Sequence, residues 1–295
     1  MNRKFEISCE STVDFPYSYL EKRNIPVLYY SYIIDGIEYF DDMGKTSGEV
    51  ENFYKKLREG SHPVTSQINA YRYEEFFEKL SSQNDLIHIA FGSGMTGSVF
   101  NAFKAAKSVM EKYPERKITV IDSYCSCLGY GMLVDFAADM RDNGDDAEKI
   151  VKWIENNCKK IHHRFFTTEL KYLRKSGRVS GLAATAATVL GICPLMKLDN
   201  DGKIVAFDKI RGKKKAIEHI VSFMEEHAAG GEKYSGKCYI AHSDCISEAK
   251  ELEQSIAKSF PALKRKIEIF SIGTIIASHC GPGTTAVFFF GDERE

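Results

Sequence analysis

Apolar residues recur along the first half of the chain in two alternating rhythms. Residues 4–9, 26–34, 86–91 and 117–122 are short runs carrying Val, Ile, Leu, Phe or Tyr, and they predict strands. Between them, residues 69–80 place Tyr73, Phe76, Phe77 and Leu80 at i, i+3, i+4 and i+7, one stripe of an amphipathic helix. Residues 96–113 repeat the device with Val99, Phe103, Ala106 and Met110, and Pro114 stops that helix. Residues 126–142 and 145–161 predict two further helices, broken at Asn143-Gly144. Strands that alternate with helices predict a parallel sheet covered on both faces, a three-layer α/β arrangement.

The second half has another rhythm. A polar, basic stretch at 158–164 reads as a boundary, dividing the chain into an α/β unit over 1–160 and a smaller α+β unit over 161–295. A short helix is expected at 170–175 and an Ala-rich one at 181–190. Strands at 193–198 and 203–209 flank Asp199-Asn200-Asp201-Gly202, a hairpin turn. A helix at 213–227 then leads to strands at 237–242, 266–271 and 285–290, which together predict a mixed or antiparallel sheet.

Composition narrows the function classes. Of the 295 residues, 43% are hydrophobic and 27% charged, the ordinary globular mix. Forty Lys and Arg against 41 Asp and Glu leave a formal charge of -1, without the basic excess of a nucleic-acid binder. No apolar run approaches the ~20 residues that span a bilayer, and residues 1–10 carry no apolar core of a signal peptide. The eight cysteines show no C-x-x-C spacing and are expected to be reduced thiols of a cytoplasmic protein. Cys125 and Cys127 form one C-x-C but lack two further ligands at matched spacing, so no metal is expected.

Gly92-Ser93-Gly94-Met95-Thr96-Gly97 matches G-x-G-x-x-G between a strand and a helix, with Asp122 ending the next strand. On pattern alone this is a dinucleotide site of an oxidoreductase. The underlying physics is broader: glycines let backbone approach a ligand, and the N–H groups of a helix start attract any anion, a carboxylate included. The hydroxyls of Ser93 and Thr96 add donors. A plain strand-to-helix turn with Thr96 as cap satisfies the same pattern.

Several segments together resemble the DegV family of bacterial fatty-acid-binding proteins. Glu10-Ser11-Thr12-Val13-Asp14-Phe15-Pro16 is similar to the family's Asp-Ser-Thr-x-Asp-Leu-Pro. Thr65-Ser66-Gln67 matches its Thr-Ser-Gln turn, and Ser93-Gly94-Met95-Thr96-Gly97-Ser98 resembles Ser-x-Leu-Ser-Gly-Thr. Asp122-Ser123 matches an Asp-Ser after a strand, and residues 170–180 resemble Leu-x-x-Leu-x-Lys-Gly-Gly-Arg-Ile-Ser. Arg211-Gly212-Lys213-Lys214-Lys215-Ala216 matches the family's basic segment, and His279-Cys280-Gly281-Pro282-Gly283 its His-x-Gly-Pro-Gly. The matches run in order over nearly the whole chain. Departures are Glu10 for Asp, Gly92-Ser93 for Ser-Ser, Ser176 for Gly, and Ile192-Cys193-Pro194 for a Lys-Pro pair.

The resemblance implies that one long-chain fatty acid lies between the two units and that the protein is not itself the catalyst. It implies an acyl carrier that presents the carboxylate to a separate ATP-dependent fatty acid kinase, whose acyl phosphate feeds phospholipid synthesis, with room for transient membrane contact. Carried over by position, Thr65, Ser93, Gly94 and Thr96 are the expected carboxylate-binding residues. His279 before the rigid Gly-Pro-Gly turn is an expected donor, and Arg178 is expected to pair with the carboxylate or, in a structural or gating role, with an Asp between the two units. Arg211 heads the one dense basic run and is the expected partner-docking residue. The 19 Phe, 15 Tyr and 8 Met supply material for two cores and for an apolar tunnel.

Overall fold

The computed structural model describes residues 5–181 and 191–295. The first half runs β1 (Phe5–Glu10), α1 (Tyr17–Lys22), β2 (Val27–Leu28), β3 (Ser31–Ile34), β4 (Ile37–Phe40), α2 (Glu49–Arg58), β5 (Val64–Ser66) and α3 (Ala70–Leu80). It continues through β6 (Asp85–Ala90), α4 (Ser98–Lys112), β7 (Ile118–Asp122), α5 (Cys127–Asp142) and α6 (Ala147–Asn157). The second half holds β8 (Ile161–Thr167), α7 (Lys171–Ser176), β9 (Val179–Gly181), β10 (Ile192–Leu198), β11 (Ile204–Arg211) and α8 (Lys213–His227). Then follow β12 (Cys238–His242), α9 (Ile246–Ser259), β13 (Ile267–Ser271), α10 (Thr274–Cys280) and β14 (Thr284–Phe290).

The fold is mixed α/β. Among the described residues β2-β1-β6-β7 form a wholly parallel sheet, in which Ile7 stands opposite Ile87 and Ile87 opposite Thr119. The run at 26–34, expected as one strand, is divided. Val27 and Leu28 edge the parallel sheet, whereas β3 turns away into an antiparallel sheet of order β4-β3-β5. The second half builds a mixed sheet of order β13-β12-β14-β8-β10-β11-β9. Its hairpin is the expected one: β10 and β11 are antiparallel, and the Gly202 N–H closes the turn on the Asp199 carbonyl. The Ala-rich helix expected over 181–190 falls, beyond Gly181, outside the described residues. No helix among the described residues is long and apolar enough to cross a membrane.

The stretch at 158–164 is not a linker. Cys158–Lys160 form one 3-10 turn, and β8 is a wholly buried strand in the interior of the seven-stranded sheet. His162 and His163 are buried with hydrogen-bond partners, as low-dielectric surroundings require, and Arg164 is buried against an aromatic ring. His162 stacks on Phe289 and meets the Asp292 carboxylate at 2.9 Å. His163 Nδ1 donates to the Ile161 carbonyl while its Nε2 accepts the Ser126 N–H. The Arg164 guanidinium lies 3.3 Å over the Phe223 ring.

Helix α5 packs on β1 of the parallel sheet and on β8, β12 and β14 of the mixed sheet. It is apolar nearly all round, as a helix covered on opposite sides must be. Two glycines bring it close to both neighbours: a β-carbon at Gly129 would strike the His163 ring, and one at Gly131 would stand 2.7 Å from the Val13 carbonyl. The buried Asp135 of α5 gathers Arg23 at 2.6 Å, the Tyr19 hydroxyl at 3.0 Å, the Tyr239 hydroxyl at 2.8 Å and Lys237. One apolar core therefore runs from β1 through α5 to β14. A second lies under α8 and α9, where Ile220, Met224, Leu252 and Ile256 meet Leu195, Val287 and Phe289.

Candidate functional site

A cleft opens between the parallel sheet and the mixed sheet. Most of its wall is apolar: Phe91 and Met95 come from the first half, and Phe165, Leu198, Ile275 and Phe288 from the second. One end is polar. There Thr65 at the centre of β5 meets His279 in the last turn of α10, with Thr65 Oγ1 and His279 Nε2 2.9 Å apart.

The state of His279 follows from its surroundings. Burial first, and then the Arg178 charge, push its pKa down to about 4, so the free ring is neutral at pH 7. A neutral imidazole carries one proton. We assign the Thr65 hydroxyl as the donor to Nε2, which places that proton on Nδ1, a nitrogen buried without a partner among the described residues. An N–H left without an acceptor at the head of an apolar cavity is a receptor for a buried anionic or carbonyl oxygen. Two more lining residues, Tyr30 and Thr284, carry a buried hydroxyl without a partner among the described residues. Burial and the Glu10 charge hold the Tyr30 phenol well above its usual range, so it remains a donor.

Of the residues expected from the sequence, Thr65, Thr96, Arg178 and His279 line this one cavity. Ser93 and Gly94 do not, although they share a turn with Thr96. The Ser93 N–H is taken by Asp122 Oδ1 at 3.1 Å, and the same oxygen accepts the Tyr124 N–H at 3.0 Å. A β-carbon on Gly94 would fall on the backbone of Asp201 and Gly202 at the hairpin tip. One on Gly92 would stand 2.8 Å from the Cys125 backbone. The chain's own backbone thus fills the space beside these glycines, and Asp122 closes the turn instead of facing a ribose. That packing gives the dinucleotide reading of this motif no support. Arg211, exposed at the end of β11, lies away from the cavity wall. Cys125 and Cys127 are buried thiols, Cys125 donating to the Cys158 carbonyl at 3.4 Å.

Tyr30, Gln67 and Thr284 also line the cavity and were not singled out in the sequence. Gln67 ends the Thr65-Ser66-Gln67 turn and Thr284 follows the Gly-Pro-Gly turn, so both adjoin segments already marked. Tyr30 gave no signal, being one tyrosine in a strand-like run.

Exposed residues flank the polar end, Ser66, Gln67 and Arg178. A second hollow of about 710 Å³ lies outside it and shares Thr65, Arg178 and His279 with the cavity. His62, Tyr172 and Lys175 complete much of its wall. Arg178 is exposed there, with Nη1 donating to the Ser176 carbonyl.

Comparison with known proteins places this architecture. A family model described as uncharacterised protein, DegV family, matches residues 4–292. A DegV domain-containing protein of Clostridium perfringens is 35% identical over 294 residues, covering 99% of each chain. A structure described as a DegV lipid binding protein from Thermotoga maritima superposes with a TM-score of 0.83 at 26% identity, covering 99% of this chain and 100% of that one. A structure described as a fatty acid binding DegV family protein from Streptococcus agalactiae gives a TM-score of 0.83 at 25% identity over the same shares.

Proposed function

The chain belongs to the DegV family, and from that premise we propose that it binds one long-chain fatty acid in the cleft between a unit over 1–160 and a unit over 161–295. The observation that carries this reading is the part-buried Thr65–His279 pair, its Nδ1 without a partner among the described residues, at a polar end of an apolar cavity. The relatives described as lipid-binding and fatty-acid-binding support the same ligand class. The carboxylate accepts from His279 Nδ1 and from the Thr96 hydroxyl, with Thr65 holding the His279 ring in place and Arg178 at the mouth. Ser93 and Gly94 serve by shaping the turn that presents Thr96.

The division of labour between tail and head follows from magnitudes. A chain of ~16 carbons buries about 14 methylenes, at ~0.8 kcal/mol each some 11 kcal/mol before the cost of association. The tail supplies affinity, and the head supplies orientation. An oriented carboxylate at an open mouth suits delivery. We infer that the protein is a cytoplasmic carrier and not the catalyst. A separate ATP-dependent fatty acid kinase phosphorylates the bound carboxylate for phospholipid synthesis, and transient membrane contact exchanges the ligand. In that step a carboxylate oxygen attacks the terminal phosphorus of ATP, the bond to the bridging oxygen breaks, and ADP leaves.

The direct test is to denature the purified protein, extract it and analyse the extract by mass spectrometry. A stoichiometric fatty acid of about 14–18 carbons is expected, the window a pocket of fixed length allows. Bound nicotinamide dinucleotide with no lipid would overturn the reading.

Docking on the kinase is assigned to the basic run. Arg211 is exposed, and Lys213, Lys214 and Lys215 open α8, where cations oppose the helix dipole and gain from an acidic partner. Lys213 is already paired with Glu248. Arg211→Glu should leave fatty-acid affinity within about twofold of wild type, because a rim charge acts mainly on association. The same variant should need a several-fold higher concentration to sustain acyl-phosphate formation. Added salt should weaken the wild-type pair more than the variant. Unchanged kinase turnover would make the run an ordinary solvated face.

A further inference from the structure

We propose that Asp14 and Asp41 form a proton-sensitive clamp that fastens helix α10 to the first half of the molecule, closed while the pair holds a proton and loosened when both carboxyls ionise. Asp14 follows the 3-10 turn Ser11–Val13 after β1, and Asp41 follows β4. Both carboxyls reach across the junction to the start of α10. Asp14 Oδ1 accepts the Gly273 N–H at 3.1 Å, and Asp41 Oδ1 accepts the Thr274 hydroxyl at 3.1 Å. α10 supplies Ile275, Ile276, His279 and Cys280 to the wall of the cleft, so what holds its first turn decides whether that wall can move. The clamp needs no bound lipid; under the fatty-acid reading it governs when the cleft wall opens.

The remaining oxygen of each carboxyl, Oδ2, is buried with no hydrogen-bond partner among the described residues. Asp14 is 5% exposed and Asp41 2%, so water does not make up the loss. Both carboxyls border Gly273: a β-carbon there would stand 2.7 Å from Asp14 Oδ1 and 3.7 Å from Asp41 Oδ2. Two anions so placed repel one another out of water, and a single proton removes the repulsion and gives an orphaned oxygen a donor. No cation is at hand to do the same. Among the described residues Lys45 is the one cation lining the hollow beside the pair, and it is turned to the Tyr29 hydroxyl at 2.7 Å and the face of the Tyr17 ring. The other titratable neighbours of Asp14 are the Cys127 thiol of α5, the Cys280 thiol of α10 and the Tyr54 phenol of α2. Those of Asp41 are Tyr32 of β3, Asp42 and Glu49, and Glu51 also lines the hollow. Burial raises the pKa of both acids, Asp14 well above the usual carboxyl range and Asp41 to about 6 against the lowering effect of the Ser11 and Thr274 hydroxyls. An acid whose pKa is higher in the closed joint than in water takes up a proton on closing. The clamp is therefore at full strength below about pH 4, the ordinary carboxyl value, and weakens as pH rises through about 6.

The test is amide hydrogen exchange along the full chain, corrected for the intrinsic rate at each pH. In wild type the amides of α10, Ala277 and Gly281 bounding its last turn, should exchange about tenfold faster at about pH 8 than at about pH 5, the change given by a carboxyl of pKa about 6 closed and about 4 open. Asp41→Asn keeps an acceptor for the Thr274 hydroxyl and carries no charge, so its α10 should lose most of that dependence. Asp14→Asn, which keeps an acceptor for the Gly273 N–H, repeats the test should the first variant fail to fold. Strands β12 and β14 are the internal control and should show no such change in any of the proteins. The same pH profile in wild type and variant overturns the clamp. So does an acceleration shared equally by α10, β12 and β14, which would be a loss of global stability. Protection of α10 restored at about pH 8 by millimolar calcium in wild type, and not in Asp41→Asn, would give the space to a cation and overturn the proton.

Discussion

Thr65→Val is expected to weaken binding of a long-chain fatty acid by about ten- to a hundredfold, while binding of the matching methyl ester changes far less. The hydroxyl has two functions in the site. It donates its one proton to His279 Nε2 at 2.9 Å, which keeps the ring proton on Nδ1, and it fixes the orientation in which the ring presents Nδ1 to the head group. Valine keeps the shape and removes both. A bare Nε2 then competes for the proton, and the tautomer with a lone pair on Nδ1 repels a carboxylate. Titration of acid and ester against wild type and variant decides the matter. Equal losses for the two ligands would mean that Thr65 acts through packing. Ser93→Ala is the internal contrast: its side chain is off the cavity wall and its N–H is held by Asp122, so the acid should bind it nearly as wild type does.

Gly94→Ala is expected to destabilise the fold by about 1–3 kcal/mol, as overpacking in a filled interior does. The added methyl would strike backbone, the carbonyl groups of the hairpin tip at Asp201 and Gly202, which have no rotamer by which to move aside. Gly202 is itself fixed at φ +74°, with the Tyr124 carbonyl 2.9 Å from where its own β-carbon would stand. Differential scanning calorimetry should show a melting temperature lower by several degrees, at roughly 2–4 °C per kcal/mol for a chain of this class. An unchanged melting temperature would return the glycine to a ligand-binding explanation.

The parallel sheet was legible because its strands are short apolar runs between helices of clear period, as in β6 between α3 and α4. β8 was not, because His162, His163 and Arg164 look like a solvated surface until Asp292, Phe289 and Phe223 are brought to them by the fold. Those partners are 59 to 130 residues away, beyond any local pattern. α10 was hidden for a related reason: it is a short helix whose apolar residues face a cavity and a neighbouring sheet at once. At the site, the resemblance marked the right turns but not the right atom within each. Ser93 and Thr96 are three residues apart, both hydroxylated and both preceded or followed by glycine. Which of them faces the ligand depends on how the turn packs against the hairpin, and that information lies at Asp201 and Gly202.

Helix α5 has a consequence for how the molecule folds and fails. Its residues belong to the core on either side, and Asp135 joins Arg23 and Tyr19 to Lys237 and Tyr239. If the second half let go, the helix would show water an apolar face and an aspartate stripped of half its partners, so neither half has a low-energy state alone. Melting should be a single cooperative event, and a shortened chain ending near the middle should aggregate instead of surviving as a smaller protein.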